Sequence, residues 1–460
     1  MKKYIKLLLV VLVLSNLSSC KKFLEFEPEN FVLEEDAIKT AADLQLLLNS
    51  TYDVARSANF LGGQAYLLTD LMGDDFNGTN LSGDYGAYYD RNTGIFNGST
   101  RSLWQEGYIT IGRCNKLIES FDVVSDLTAD EKTRMEAEAR FLRATAHFYL
   151  VRYFAQPYGA TADNSQLGIP VRTTYTIETY GRNTVAEVYD QVIQDLMFAQ
   201  DNLPVSNGGY ATSWAAKGML AKVYFQMNNF QGAYDAAEDV ISNGSFMLAA
   251  TPSGRYAAGG STEGVFELQS TGTGDFSGKG LQGYYRTDAG TDPSIRMSTG
   301  LYTEATADTA DWRGKTWYTI RNQGQPTQYI LLTRFDTLPY FNMPVVSLTE
   351  LTLIHGESAA ELNLRTEAET DLNLIRVRAG LAEILNADAQ TLISLIRAER
   401  RLEMVGEGVR TQDLKRQAVR GNTSLLVRGA SWNCPGMVVQ FPDTETRGNP
   451  SFELNPEGGC

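Results

Sequence analysis

Tyr85, Tyr88, Tyr89, Arg91 and Asn92 fall within eight residues of one another, in Gly83-Asp84-Tyr85-Gly86-Ala87-Tyr88-Tyr89-Asp90-Arg91-Asn92. Further along stand the pair Tyr284 and Tyr285, then Trp312 and Trp317. Tyr and Trp join a flat apolar body to a polar tip. That combination suits sugar rings, whose C–H faces stack on aromatic rings while their hydroxyls need amide, guanidinium or carboxylate partners. These nine residues form the candidate substrate-binding set. A lone loop aromatic more often packs its own loop, so only part of the set is expected to contribute.

Residues suited to catalysis are sparse. The two histidines, His147 and His355, fall inside predicted helices, where a buried, hydrogen-bonded ring is the expected role, and two cannot build a His-rich metal site. Asp74-Asp75 offers a carboxylate pair of the kind a glycosidase uses. Neighbours in sequence rarely face one cleft, however, and that chemistry needs carboxyls about 5 to 9.5 Å apart across it. No G-x-S-x-G elbow, H-E-x-x-H or P-loop is present. The Glu399/Arg400/Arg401/Glu403 and Glu407/Arg410/Asp413/Arg416 groups alternate in sign, the mark of an ion-pair lattice pinning a helix. No catalytic residue, metal or cofactor is expected.

The elements that must position these residues are mainly helices. Thr128 and Glu131 make a capping box, followed by apolar positions at Met135, Ala139, Leu142, Ala146, Tyr149 and Tyr153, with Pro157 as the stop. Thr184 and Glu187 repeat the device ahead of Val188, Val192, Leu196, Ala199 and Leu203. Further helices are predicted at about 36–56, 101–121, 212–227, 230–243, 347–364, 367–379 and 390–406. Leu220-Ala221-x-x-Tyr224, the turn Met227 to Phe230, and Ala233 and Ala237 place small residues where two helices cross closely, as in a tetratricopeptide unit of ~34 residues. The fold expected is mostly α, a tetratricopeptide-like helical-repeat frame over about 36–57, 101–157, 184–243 and 347–406. Residues 58–100 and 251–345 are rich in Gly, Ser, Thr, Asn, Asp and aromatics. Loops this long are usually functional or disordered, and disordered segments are aromatic-poor, so two ordered, loop-rich excursions are expected. Short strands are candidates at Val265 to Gln269 and Tyr329 to Thr333.

The N-terminus reads as a leader. Lys2, Lys3 and Lys6 precede the apolar run Leu7 to Leu14, and Leu17-Ser18-Ser19-Cys20 follows. Eight apolar residues span roughly 12 Å as helix, short of the ~30 Å hydrocarbon core. The ending is similar to a bacterial lipobox, which predicts a signal peptide over 1–19, lipidation of Cys20, and a mature 20–460 domain held to a membrane by its acyl chains. Each buried methylene contributes about 0.8 kcal/mol, so two or more chains anchor almost permanently.

Forty basic against fifty-five acidic side chains leave a net charge of −15, which excludes the phosphate-neutralising surface of a nucleic-acid binder. It also excludes electrostatic adsorption to an anionic bilayer, so membrane contact rests on the lipid anchor. Beyond Cys20 remain Cys114, Cys434 and Cys460, with no C-x-x-C pair for a metal. The three cannot all be bridged; in an oxidising compartment Cys434 and Cys460 are one option for a pair.

Glu138-Ala139-Arg140-Phe141-Leu142-Arg143-Ala144, running on to Phe148-Tyr149-Leu150-Val151-Arg152-Tyr153-Phe154, resembles a helix of the SusD/RagB family. So do Leu372-Asn373-Leu374-Ile375-Arg376-Val377-Arg378-Ala379-Gly380-Leu381, Ile396-Arg397-Ala398-Glu399-Arg400-Arg401-Leu402-Glu403, Glu407-Gly408-x-Arg410 and Asp413-Leu414-Lys415-Arg416. Phe441-Pro442 to Glu445, Asn449-Pro450 and Asn455-Pro456 resemble the family's closing signature, and Phe23-Leu24-Glu25 its start. Where the family carries a His and aromatics, this chain has Val409, Thr411 and Gln412. The resemblance implies an outer-membrane lipoprotein of a nutrient-uptake system, facing the cell exterior. It also implies glycan held on an aromatic arc flanked by Arg and Asn, and a SusC-like TonB-dependent barrel as partner. RagB-like members imply the alternative, a peptide cargo.

Overall fold

The computed structural model describes residues 38–460 apart from 275, 276, 289 and 337. The leader and Cys20 lie outside the described residues, as does the start of the helix predicted at 36–56. Sixteen α-helices and eight short strands are found among the described residues, and none of those helices is long and apolar enough to cross a membrane.

The helices read from apolar spacing form where expected. They are α1 (Ala41–Ala55), α4 (Gly98–Glu119), α5 (Ala129–Phe154), α6 (Val185–Asn202), α7 (Ser213–Gln226), α8 (Phe230–Asn243), α12 (Leu348–Glu361), α13 (Arg365–Arg378) and α14 (Ala389–Glu403). Both predicted capping boxes are made: Thr128 and Thr184 accept from the backbone N–H groups of Glu131 and Glu187, whose carboxylates accept in return. The tetratricopeptide-like pair is α7 and α8, reversed through Asn228 at φ +57°. Ala221, Ala233 and Ala237 are fully buried between them and their neighbours. One apolar core runs from α1 through β6 (Met343–Ser347) to Phe441 and Phe452, so frame and excursions share it.

The excursions hold more helix than their composition suggested. Segment α2 (Gln64–Met72) is buried on every side, so it lacks the one-sided apolar stripe that marks a surface helix. The others, α3 (Gly83–Tyr89), α9 (Lys279–Tyr285), α10 (Thr299–Ala305) and α11 (Trp312–Thr316), are two turns or less, too short to show a period. The strands β1 (Phe76–Asn77), β3 (Arg296–Met297), β5 (Tyr329–Leu332) and β4 (Tyr318–Arg321) form an antiparallel sheet in that order, with Asn77 opposite Arg296 and Met297 opposite Ile330. The expected strand at Val265 is β2 (Gly264–Leu268), paired antiparallel with β6 through two register shifts.

The alternating charges of the C-terminal helices build the expected lattice. Arg255 lies between Glu403 at 3.2 Å and Glu407 at 2.6 Å, and Arg378 between Glu263 at 2.6 Å and Glu403 at 2.9 Å. Arg400 bridges Glu350 at 3.1 Å and Asp413 at 2.8 Å, the latter on α15 (Arg410–Val419). These groups lie in the interior, where an ion pair repays its desolvation best when its remaining donors are also bonded; Arg255 Nε, Arg378 Nε and Arg400 Nη1 are buried without a hydrogen-bond partner among the described residues. Helix α15 carries no apolar spacing to predict it, because its buried face is charged. Cys434 and Cys460 are joined in a disulfide, Cα atoms 5.6 Å apart, while Cys114 is free and buried.

Candidate functional site

The tyrosine-rich segment folds as α3 because its ends are held. Gly83 turns the chain at φ +57°, and Asp84 accepts from Ser99 N–H at 2.8 Å while its carbonyl takes the Asn97 amide at 3.2 Å. On a helix, residues three and four apart lie on one face, so Tyr85, Tyr88 and Tyr89 start from the same side and packing alone separates them. Tyr88 is fully buried, its hydroxyl 2.9 Å from that of Thr100, so it cannot offer a ring face to a ligand. Its assignment to the binding set is corrected: it anchors the helix that carries Tyr85.

Helix α9 repeats the arrangement. Leu281 N–H donates to Gly62 O at 3.0 Å, and a Cβ on Gly63 would meet the Gly280 backbone at 3.0 Å, so two chain segments cross here in contact. Tyr285 is buried, stacked on Phe76 at 6.2 Å and tilted on Phe335 at 5.5 Å. It too leaves the set. Adjacent helical residues differ by about 100° in direction, so Tyr284 points elsewhere. It meets Tyr85 edge to face, with ring centroids 5.9 Å apart at 86°. Burial first, then the Tyr85 hydroxyl beside it, hold the Tyr284 phenol well above its ordinary value, so it stays a neutral donor. Both rings are half-buried, which leaves area for a ligand.

The remaining predicted residues separate. Tyr89 lies beneath the Arg428 guanidinium at 3.8 Å from its centroid. Its ring rests on Gly78, where a Cβ would fall 2.2 Å from it. Arg91, at φ +54° and buried, spends its guanidinium on Val427 O at 2.5 Å. Asn92 is exposed but lies against Gly459 beside the disulfide. Arg91 therefore holds the C-terminal segment, a correction to its role as a sugar-hydroxyl partner. Trp317 is buried, donating its indole N–H to Ser253 Oγ at 2.8 Å with the Arg334 guanidinium 4.0 Å over its ring, and is likewise corrected to the core. Trp312 meets Trp317 at 6.2 Å, and no ring contact among the described residues joins it to the Tyr85–Tyr284 pair.

Several polar groups of the same excursions escaped the sequence reading because they carry no pattern of their own. Arg296 on β3 covers the Tyr329 ring at 3.6 Å and donates to the Asn80 amide, on the loop leading to α3. Asp292 takes Arg321 at 3.0 Å and the Tyr329 hydroxyl at 2.8 Å. The hydrogen bond from Arg321, ahead of that from Tyr329, keeps Asp292 below its ordinary value and charged. The half-buried faces of Tyr85 and Tyr284 can stack a sugar ring, and amide and charged groups of the excursions can bond its hydroxyls.

Asp74 and Asp75 are held by arginines. Arg410 meets Asp74 at 2.6 Å and Arg401 meets Asp75 at 2.7 Å. Against the cost of burial, Arg410 draws Asp74 below its ordinary value, whereas burial lifts Asp75 despite Arg401. His147 lies buried against Arg143 O at 3.0 Å, and burial, then Arg143, push it down to about 4. Among the described residues no group of three His, Cys, Asp or Glu side chains could hold a metal ion.

Residues 22–225 match the SusD-like family model described as starch-binding, associating with outer membrane. A SusD-like protein of Formosa agariphila is 31% identical over 248 residues, 53% of this chain and 47% of the relative. The chain thus spans about half the length of that curated relative. A SusD superfamily protein of Bacteroides thetaiotaomicron superposes with a TM-score of 0.79 at 24% identity, covering 91% of this chain and all of that one. A SusD-like carbohydrate binding protein of Bacteroides vulgatus gives a TM-score of 0.76 at 17% identity, covering 90% of this chain and 98% of that one.

Proposed function

We propose that this chain, which matches the SusD-like family model over residues 22–225 and shares the fold of SusD superfamily proteins, captures oligosaccharide or polysaccharide at the cell surface and delivers it to a SusC-like TonB-dependent outer-membrane transporter. The observation that carries the glycan reading is the Tyr85–Tyr284 pair. Two half-buried rings at right angles are fixed by separate helices, and the Asn80 amide on the loop leading into one of them is held by Arg296 of β3. The family description brings outer-membrane association, and Cys20 is the residue proposed to carry the lipid. Family members are binding proteins without catalysis, and Asp74 and Asp75 serve here as ion-pair partners.

The test uses native gels cast with different polysaccharides, and the chain without its leader and Cys20. Tyr85→Ala and Tyr284→Ala should each weaken retardation roughly five- to thirtyfold, the loss of about 1–2 kcal/mol of stacking. Tyr88 and Trp317 are unsuitable targets, since truncating either opens the core. Unchanged retardation in both variants removes the pair from the site. Saturable quenching of tryptophan fluorescence by mixed peptides, with no glycan retarding the chain, makes it a peptide importer of the RagB kind. Isolation of the lipoprotein from native membranes in mild detergent tests the barrel; recovery without a large β-barrel partner overturns that part.

A further inference from the structure

A cleft of about 390 Å³ opens between α1, the 208–210 turn and the end of β2, and shares no lining residue with the Tyr85–Tyr284 pair. We propose that this cleft is a second sugar-binding site, specific for a neutral sugar residue, with Tyr210 as its platform. Its size falls within the range of small-ligand clefts, about 300–1,000 Å³.

The platform is rigid. Tyr210 packs on Tyr52 with centroids 5.0 Å apart. Tyr52 is itself fixed, its hydroxyl donating to buried Glu138 at 2.8 Å and accepting from Ala211 N–H at 3.0 Å. The Tyr210 hydroxyl donates to Asn49 Oδ1 at 3.0 Å, and its ring remains half-buried. Gly208 and Gly209 turn the chain at φ +58° and +97°, and a Cβ on Gly209 would sit 3.0 Å from the Gln269 amide carbon. Only glycine at that position lets the turn present Tyr210 and still close onto Gln269.

The polar groups suit hydroxyls. Asn49 Oδ1 also accepts from Gln45 at 2.9 Å, so among the described residues its amide N–H groups remain to donate. Glu267, buried in the wall, accepts from Ser261 N–H at 3.1 Å and the Asn342 amide at 3.3 Å. A carboxylate has about four acceptor positions, so Glu267 keeps capacity for a ligand hydroxyl. Asp53 stands at the rim with its side chain 64% exposed, paired with Arg56 at 2.9 Å. Arg56 is already met by Asp53, and Glu267, which burial pushes up to about 7, adds no positive charge, so the cleft has no surplus cation among the described residues to favour uronic or sulfated sugars. A neutral ring stacked on Tyr210 with hydroxyls on Asn49, Asp53 and Glu267 fits both shape and charge.

This inference extends the glycan reading, and the test separates the two. Binding of maltohexaose, xylohexaose and mannohexaose, with oligogalacturonate as the anionic probe, is followed by saturation-transfer NMR and calorimetry. The proteins are the leaderless chain, Tyr85→Ala/Tyr284→Ala, Tyr210→Ala and Asp53→Ala, the last being a rim change that leaves the fold alone. Binding of a neutral hexasaccharide should survive in the Tyr85→Ala/Tyr284→Ala protein. Adding Tyr210→Ala should then weaken it roughly tenfold or more, and adding Asp53→Ala severalfold. Loss of all binding in Tyr85→Ala/Tyr284→Ala overturns the second site and leaves the first standing. Residual binding that ignores both Tyr210 and Asp53, preference for oligogalacturonate, or no neutral saccharide bound by the unmodified chain each overturns the proposal.

Discussion

Arg313 is the most heavily committed side chain of the buried lattice, and Arg313→Met measures what the lattice contributes. The guanidinium is 1% exposed and bonds Asp311 at 2.8 Å, Glu399 at 2.8 Å and Glu403 at 3.1 Å. Removing it does not orphan all three carboxylates. Glu399 keeps Arg376 at 2.8 Å, and Glu403 keeps Arg255 at 3.2 Å and Arg378 at 2.9 Å. Only Asp311, buried at the start of α11, is left without a cation among the described residues. Breaking a buried pair from one side costs about 3–5 kcal/mol, and with two of three partners still neutralised the expected loss is about 3 kcal/mol. With an unfolding entropy of about 2.1 cal/mol/K per residue over roughly 420 residues, that is a fall in Tm of about 3–4 °C. Calorimetry on the leaderless chain reads it directly. Adding Asp311→Asn, which keeps the helix cap and removes the stranded charge, should recover roughly 1 kcal/mol. A Tm within 1 °C of the parent for Arg313→Met, or no recovery in the double variant, refutes the view that these pairs hold α11 against α14.

Three further outcomes follow from individual contacts. Thr184→Ala removes the cap that accepts from Glu187 N–H and should cost about 1 kcal/mol, read as roughly fivefold faster amide exchange in the first turn of α6; exchange at the parent rate would show the cap to be idle. Burial, then repulsion from Arg152, push the Lys415 ammonium down to about 7. The unfolded chain therefore binds more protons than the native one between about pH 7 and 10, and stability rises with pH across that window. Lys415→Met should remove that slope in urea titrations at pH 7 and 9, and an unchanged slope would assign it to another group. Cys460→Ser opens a loop of 26 residues, worth about 3.5 kcal/mol on the chain-entropy account. Its midpoint should fall and become insensitive to reductant, whereas a reductant-sensitive midpoint in the variant would mean the bond lies elsewhere.

Much of the frame was legible because long amphipathic helices declare themselves through spacing and caps. Thr128, Thr184 and the apolar series behind them place α5 and α6 to within a few residues, and Ala221, Ala233 and Ala237 mark a close crossing by side-chain size alone. The alternating charges after Glu399 announced ion pairing but not their partners, since Arg255, Glu263 and Arg313 come from distant segments. The candidate site was half legible. Aromatic abundance in the excursions marked the region, yet it could not separate Tyr85 and Tyr284 from Tyr88 and Tyr285, their neighbours on the same helices. Which of two rings on one short helix faces solvent depends on a rotation of about 60° for Tyr85 and Tyr88 and about 100° for Tyr284 and Tyr285, and that rotation is set by what the short helix lies on. For α3 this is Thr100 and the Asp84–Ser99 bond; for α9 it is Phe76, Phe335 and the Gly62–Gly280 crossing. The Gly208-Gly209-Tyr210 cleft left no signal at all, because its walls come from α1, a turn and β2, which meet only when the core closes. By itself the sequence determined helix positions, caps and the family likeness, all of which rest on local spacing or ordered motifs. Only the tertiary structure decided which aromatics are surface and which are core, because burial is a property of packing between segments far apart in the chain.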